Sequence, residues 1–240
     1  IRLLIPFLLI GLFYLIPIRF IANYPPYEST SLIRIIYSFL TVNDCGHLWF
    51  LPTLLGIFII ATVLIRMTKS KQSTLICIVL MLYILSPYLS SFLLITSTKY
   101  LFFFFMGYFI NQYGKQIFSI KAIYHGLATL GILLIAYVLI FHNENRVVTT
   151  FTSITIIASL YYFMPHRTNR FILWLDKNSF GIYLFHSPLM YIIMNKFSII
   201  APPAILVPMN LIFGIGGSLI ITYFLRAIKC SFVIGEKNDR

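Results

Sequence analysis

Asp44-Cys45-Gly46-His47-Leu48-Trp49-Phe50-Leu51-Pro52 stands where a polar loop turns into a long apolar run, and its reading decides the fold. From His47 the chain stays apolar through residue 64, close to the ~20 residues a helix needs to cross hydrocarbon. At such a boundary an imidazole keeps contact with water while its ring is anchored at the lipid edge. Trp49 suits the same level, because its ring is apolar and its N–H needs a polar partner. Two readings follow: an interfacial anchor with an incidental histidine, or a site that uses the histidine.

The totals place the whole chain in lipid. Of 240 residues, 60% are hydrophobic and 10% charged, with a mean hydropathy of +0.92; a soluble domain has about 25% charged residues. The net charge of +12 comes from basic residues in short loops between apolar runs. That pattern sets membrane orientation and forms no phosphate-binding stripe, so nucleic acid is not an expected partner. Cys45, Cys77 and Cys230 have neither disulfide-framework nor metal spacing. Cys77, inside an apolar run, reads as a small buried hydrophobe.

Taken in order, apolar runs predict spans over 3–21, 47–64, 74–89, 120–141, 147–164, 179–195 and 204–228. Residues 100–110, rich in phenylalanine, are short for a span, which then starts nearer Phe92. Pro6 and Pro17 are expected to kink the first span near its ends. Residues 31–40 repeat Leu32, Ile35, Ile36 and Phe39 at helical spacing and predict a short interfacial helix. The expected fold is an all-α transmembrane bundle of about eight spans, one domain over 1–228 with a short basic tail over 229–240. Gly214-Ile215-Gly216-Gly217-Ser218 within the last span reads as a close-packing surface.

The charges support this map. With the start inside, thirteen basic residues, among them Arg2, Arg66, Lys69, Arg167 and Arg226, face the cytoplasm; five, Arg19, Arg34, Lys99, Arg146 and Lys196, face out. The positive-inside rule then puts both termini in the cytoplasm.

Ionisable groups at membrane depth are costly and each is a candidate for function. His47 sits at the outer mouth of its span, His125 near the inner end of another, and His186 within 179–195. Ser179, Tyr183 and His186 fall at i, i+4 and i+7, on one helical face. That stripe serves either a helix–helix hydrogen bond or a site. No buried carboxylate pair, zinc ligand set or phosphate loop accompanies them, so no metal is expected. Histidine is left as the general base near neutral pH.

Four blocks carry a resemblance: Arg2-Leu3-Leu4-Ile5-Pro6, Gly46-His47-Leu48-Trp49-Phe50-Leu51, Phe104-Phe105-Met106-Gly107-Tyr108, and Ser179-Phe180-Gly181-Ile182-Tyr183-Leu184-Phe185-His186. In this order they resemble acyltransferase family 3, the integral-membrane O-acyltransferases of bacterial surface polysaccharides. The resemblance implies transfer of an acyl group, acetyl in the expected case, from cytoplasmic acyl-CoA to a glycan hydroxyl, in the cytoplasmic membrane. It implies that His47 and Trp49 line the outer, acceptor side and that Arg2 sits at the inner edge, suited to the donor phosphates. His47 is the catalytic candidate among the residues present, and Asp44, Ser179, Tyr183 and His186 are further substrate-binding candidates. The family's main catalytic histidine lies in a first helix that has no match here. The resemblance therefore implies one of three things: an N-terminally incomplete piece of a longer chain, a second polypeptide that supplies the missing helices, or an inactive protein. The rival class is a transporter or flippase-like scaffold, against which no paired halves or inverted repeat occur; an inactive remnant is the third reading.

Single cysteines introduced as Arg34→Cys, Lys69→Cys, Arg146→Cys and Arg167→Cys test the topology. An impermeant thiol reagent added outside should label positions 34 and 146 and spare 69 and 167. Labelling at 69 would invert the map.

Overall fold

The computed structural model describes residues 2–68, 71–117, 146–163, 169–197 and 201–236, with positions 126, 130–132, 135 and 137. The expected span 120–141 and His125 thus lie almost wholly outside the described residues. The chain forms two compact units, residues 1–98 with 169–240, and residues 99–168.

In the first unit, α1 (Leu4–Ile21) is one continuous helix. Its middle, Gly11–Leu15, is a π turn. Pro17 explains this: it has no N–H for the Phe13 carbonyl and its ring crowds that oxygen, so the backbone before it takes a wider turn. After a single turn at Pro25–Glu28, α2 (Leu32–Leu40) is the short amphipathic helix expected over 31–40. Ile35 and Phe39 are buried; Leu32, expected with them, is exposed. Phe39 stacks on Phe7 of α1 with centroids 4.6 Å apart. Its ring also lies against the backbone of Gly11, where any Cβ would overlap it.

A 3-10 turn, Gly46–Trp49, leads into α3 (Phe50–Met67), followed by α4 (Gln72–Leu85) and the turn Ser86–Tyr88. The phenylalanine-rich run belongs to α5 (Phe92–Ile117), so the helix does begin at Phe92. The hydroxyls of Thr53 and Thr96 join α3 to α5 at 3.1 Å. Then come α7 (Arg170–Phe197), α8 (Pro203–Ala227) and a closing turn at Ser231–Ile234. In the second unit, α5 continues with edge-on ring pairs such as Phe102–Phe103 and Tyr108–Phe109, and α6 spans Arg146–Phe163. Gly131 fits closely against Thr155 of α6.

Among the described residues there is no strand, and four helices are long and apolar enough to cross a membrane: Leu4–Ile21, Gly46–Met67, Phe92–Tyr113 and Pro203–Ala227. With 28 residues α7 is long enough as well, about 42 Å at 1.5 Å per residue, but Asn178, Ser179, His186 and Asn195 dilute its hydropathy. Polarity is reversed from a water-soluble fold. Arg19, Thr53, Asn178, Asn210, Ser218 and Thr222 are buried, whereas Phe13 and Ile220 are more than 70% exposed. Cys77 is exposed on this apolar surface too, correcting its expected burial; Cys45 is the buried thiol. Such a surface is stable in hydrocarbon, where apolar side chains lose nothing by facing outward.

Helices α7 and α8 pack through glycines. A Cβ on Gly181 would overlap Thr222, and one on Gly217 would come within 2.7 Å of Leu189. Gly214 faces Met190, but Gly216 meets nothing, so the glycine run is a packing surface on one side only. Gly11→Ala should therefore cost about 1–3 kcal/mol through the Phe39 ring, while Gly216→Ala should stay within about 0.5 kcal/mol. Thermal unfolding of both variants in one detergent checks the contrast.

Candidate functional site

The loop between α2 and α3 shapes the site. The N–H groups of Asn43 and Asp44 both donate to the Ser38 carbonyl, turning the chain sharply off α2. Val42 takes a left-handed φ of 63°, unusual for a β-branched residue, and Gly46 one of 52°. Gly46 is needed twice over, because a Cβ there would come within 2.6 Å of Arg19 Nη2.

Arg19 is the group whose burial residue-by-residue reading missed. Counted as an outward loop charge, it is only 2% exposed and sits inside the first unit. Its Nη1 donates to Asp44 Oδ1 at 2.8 Å and to the Tyr27 hydroxyl at 3.2 Å. The Tyr24 ring lies 4.6 Å from its guanidinium carbon, with Tyr27 and Tyr191 further round. A buried guanidinium needs such an anion and such ring faces to offset its lost hydration. Burial raises the Tyr27 hydroxyl above its usual pKa although Arg19 pulls it the other way. Burial likewise pushes the Cys45 thiol up to about 11, so it stays protonated and is no nucleophile near neutral pH.

The ion pair pins the loop, and the 3-10 turn carries His47 onto α7. There His47 Nε2 lies 3.0 Å from the Leu184 carbonyl oxygen. That carbonyl is available because Pro188, four residues on, has no N–H to give it. Since a carbonyl only accepts, Nε2 carries the ring proton and Nδ1 keeps its lone pair. Nδ1 is buried and has no partner. The Tyr183 hydroxyl donates to the His47 backbone carbonyl at 2.6 Å, closing the link from the other side. The His186 ring stands 5.4 Å from that of His47, its Nδ1 donating to the carbonyls of Ile182 and Tyr183. Sequence spacing put Tyr183 and His186 on one face, and the fold brings both to His47.

The other expected residues are placed differently. Asp44 acts through Arg19, one residue back from the cluster. Trp49 is half-buried, its ring edge-on to Phe50 and Phe92, between α3 and α5. Ser179 is exposed and donates to its own helix at Asp176, two turns from His186 and about 10 Å along the axis. Arg2 is exposed at the far end of α1, about 26 Å from Arg19 along the helix. Its carbonyl there packs under Gly235, beside the end where Arg226 pairs with Glu236 and Asn178. Two signals could have found the missed pieces. Asp44 is an acidic residue in a loop otherwise poor in them, which calls for a buried cation, and Pro188 announces an open carbonyl at Leu184.

A sequence model described as an acyltransferase domain matches residues 1–227. No curated protein matches the chain, and neither does any solved structure.

Asp44→Ala leaves the Arg19 cation buried without its anion and should destabilise the protein by about 3 kcal/mol. Adding Arg19→Met, which keeps the stem packing, should recover part of that loss. A double variant no more stable than Asp44→Ala would show that pairing is not what holds the loop.

Proposed function

We propose, from the premise that this chain belongs to acyltransferase family 3, that it is a membrane O-acyltransferase acting on the hydroxyl of a surface glycan. The observation that carries the reading is His47: one ring nitrogen is fixed on Leu184 O, and the other is a buried lone pair with no partner. A buried acceptor left unpaired costs about 1–3 kcal/mol, and that cost is offset when a donor such as a sugar hydroxyl arrives.

In the proposed reaction Nδ1 takes the hydroxyl proton as the oxygen attacks the acyl carbonyl. A C–O bond forms, the C–S bond to coenzyme A breaks, and the thiolate leaves with that proton. The Leu184 carbonyl holds the imidazolium in orientation through Nε2–H, and Tyr183 steadies the backbone beneath it. Acetyl-CoA is the expected donor, with the Arg2 guanidinium toward its phosphates from the cytoplasmic side. The glycan is taken from the outer face; Asp44 acts there through Arg19 and the loop that carries His47, and Trp49 through the packing of α3 on α5. This assignment goes with about eight spans, both termini in the cytoplasm and a place in the bacterial cytoplasmic membrane. The separation of Arg2 from Arg19 along α1 supports donor and acceptor arriving from opposite sides.

His47→Gln tests the role without removing the anchor. The glutamine amide reaches Leu184 O as Nε2–H does, but it has no basic nitrogen. Release of free thiol from acetyl-CoA, measured with a polysaccharide acceptor in membranes holding the intact protein, should fall about 10²–10⁴-fold, with the melting temperature nearly unchanged. Normal turnover in this variant would reduce His47 to an anchor.

A further inference from the structure

Between α7 and α8 lies a groove of about 290 Å³, lined by Ile182, His186, Met190, Asn210, Leu211 and Gly214 among others. Its rim is apolar and outward-facing: Val207 is 62% and Leu211 56% exposed. Two polar atoms interrupt this lining. Asn210 is 6% exposed, its amide N–H donates to Met194 Sδ at 3.0 Å, and its Oδ1 has no partner. His186 donates through Nδ1 to its own helix, which leaves the Nε2 lone pair without a proton of its own. Both atoms are therefore acceptors.

Their depth limits what can satisfy them. Asn210 is seven residues into α8 and His186 eleven from the end of α7, so both lie about 10–16 Å below that end of the pair. Half of a bilayer's hydrocarbon is about 15 Å thick, so with this end of the helix pair set at the bilayer's edge the acceptors stand at the depth of the hydrocarbon, away from bulk water. A single water occupies about 30 Å³ and would leave most of the groove empty. An occupant that fills the space needs a hydroxyl donor and an apolar chain.

We propose that this groove is a binding site for a hydroxyl-bearing lipid, entering sideways from the bilayer, with its chain along Val207 and Leu211 and its hydroxyl donating to Asn210 Oδ1, beside His186. The proposal rests on the acyl-transfer reading only for the use of that hydroxyl, which would stand one ring away from His47, as on a lipid-linked acceptor. Binding itself needs no catalysis.

The test compares 1-monooleoylglycerol with methyl oleate, the same chain with and without hydroxyls, by thermal unfolding of the purified chain in detergent. The hydroxylated lipid should raise the melting temperature by several degrees more. Asn210→Leu should erase that difference; because it also removes the N–H donated to Met194 Sδ, the two lipids are compared within the variant, each against its own lipid-free melting temperature. Leu211→Trp, at an exposed rim position, should abolish the response to both lipids. Equal shifts in the unmodified chain, or a difference that survives Asn210→Leu, would overturn the site. Because nothing is read from acyl transfer, an inactive base and an empty groove give separate results.

Discussion

One missing hydrogen organises this molecule. Pro188 cannot donate to the Leu184 carbonyl, and in a membrane helix an open carbonyl has no water to turn to. The imidazole of His47, 137 residues earlier in the chain, fills the place. The bond therefore does two things at once. It repairs α7 at its weakest point, and it fixes which nitrogen of His47 carries the proton. A helix without the proline would have no such claim on the histidine.

The bond depends in turn on a loop that would not hold its shape alone. Val42 and Gly46 both adopt left-handed backbone, and the first of these is costly for a branched side chain. Arg19 and Asp44 supply the compensation. Their ion pair draws the loop onto α1, and the guanidinium occupies the space that a side chain at position 46 would take. Gly46 is thus where the electrostatics of α1 and the conformation of the loop meet. His47 follows at the next residue, its position set from both sides.

How much of this could be read from the sequence varies with the physics involved. Helix positions follow from apolar runs, so α3, α4, α7 and α8 lie within a few residues of expectation, apart from the early start of α7 at Arg170. The period of 3.6 put Tyr183 and His186 on one face, and they are on one face. Ser179 shares that period but not the site, because periodicity gives direction around a helix and not the level of the partner. Arg19 was out of reach for a different reason. An arginine at the end of an apolar run looks the same whether it faces water or an aspartate 25 residues on; only the packing of Tyr24 and Tyr27 decides. The π turn in α1 had its cause in view, Pro17, but nothing in the apolar pattern showed that the ring of Phe39 would pack on Gly11 at its start.

What links the histidine cluster to the lipid-facing groove is again α7. Its carbonyls at 182 and 183 take the proton of His186 Nδ1, just as its carbonyl at 184 takes that of His47. Each imidazole is thus held by one nitrogen on the backbone of the same helix, and each keeps its other nitrogen as an acceptor. His47 holds that acceptor buried inside the bundle, and His186 holds its own along the groove against α8. Two neighbouring rings with the same tautomer logic cannot hydrogen-bond each other, since each would offer only a lone pair. A donor between or beside them must come from something that is not part of this helix, and a hydroxyl is the simplest group that meets the requirement.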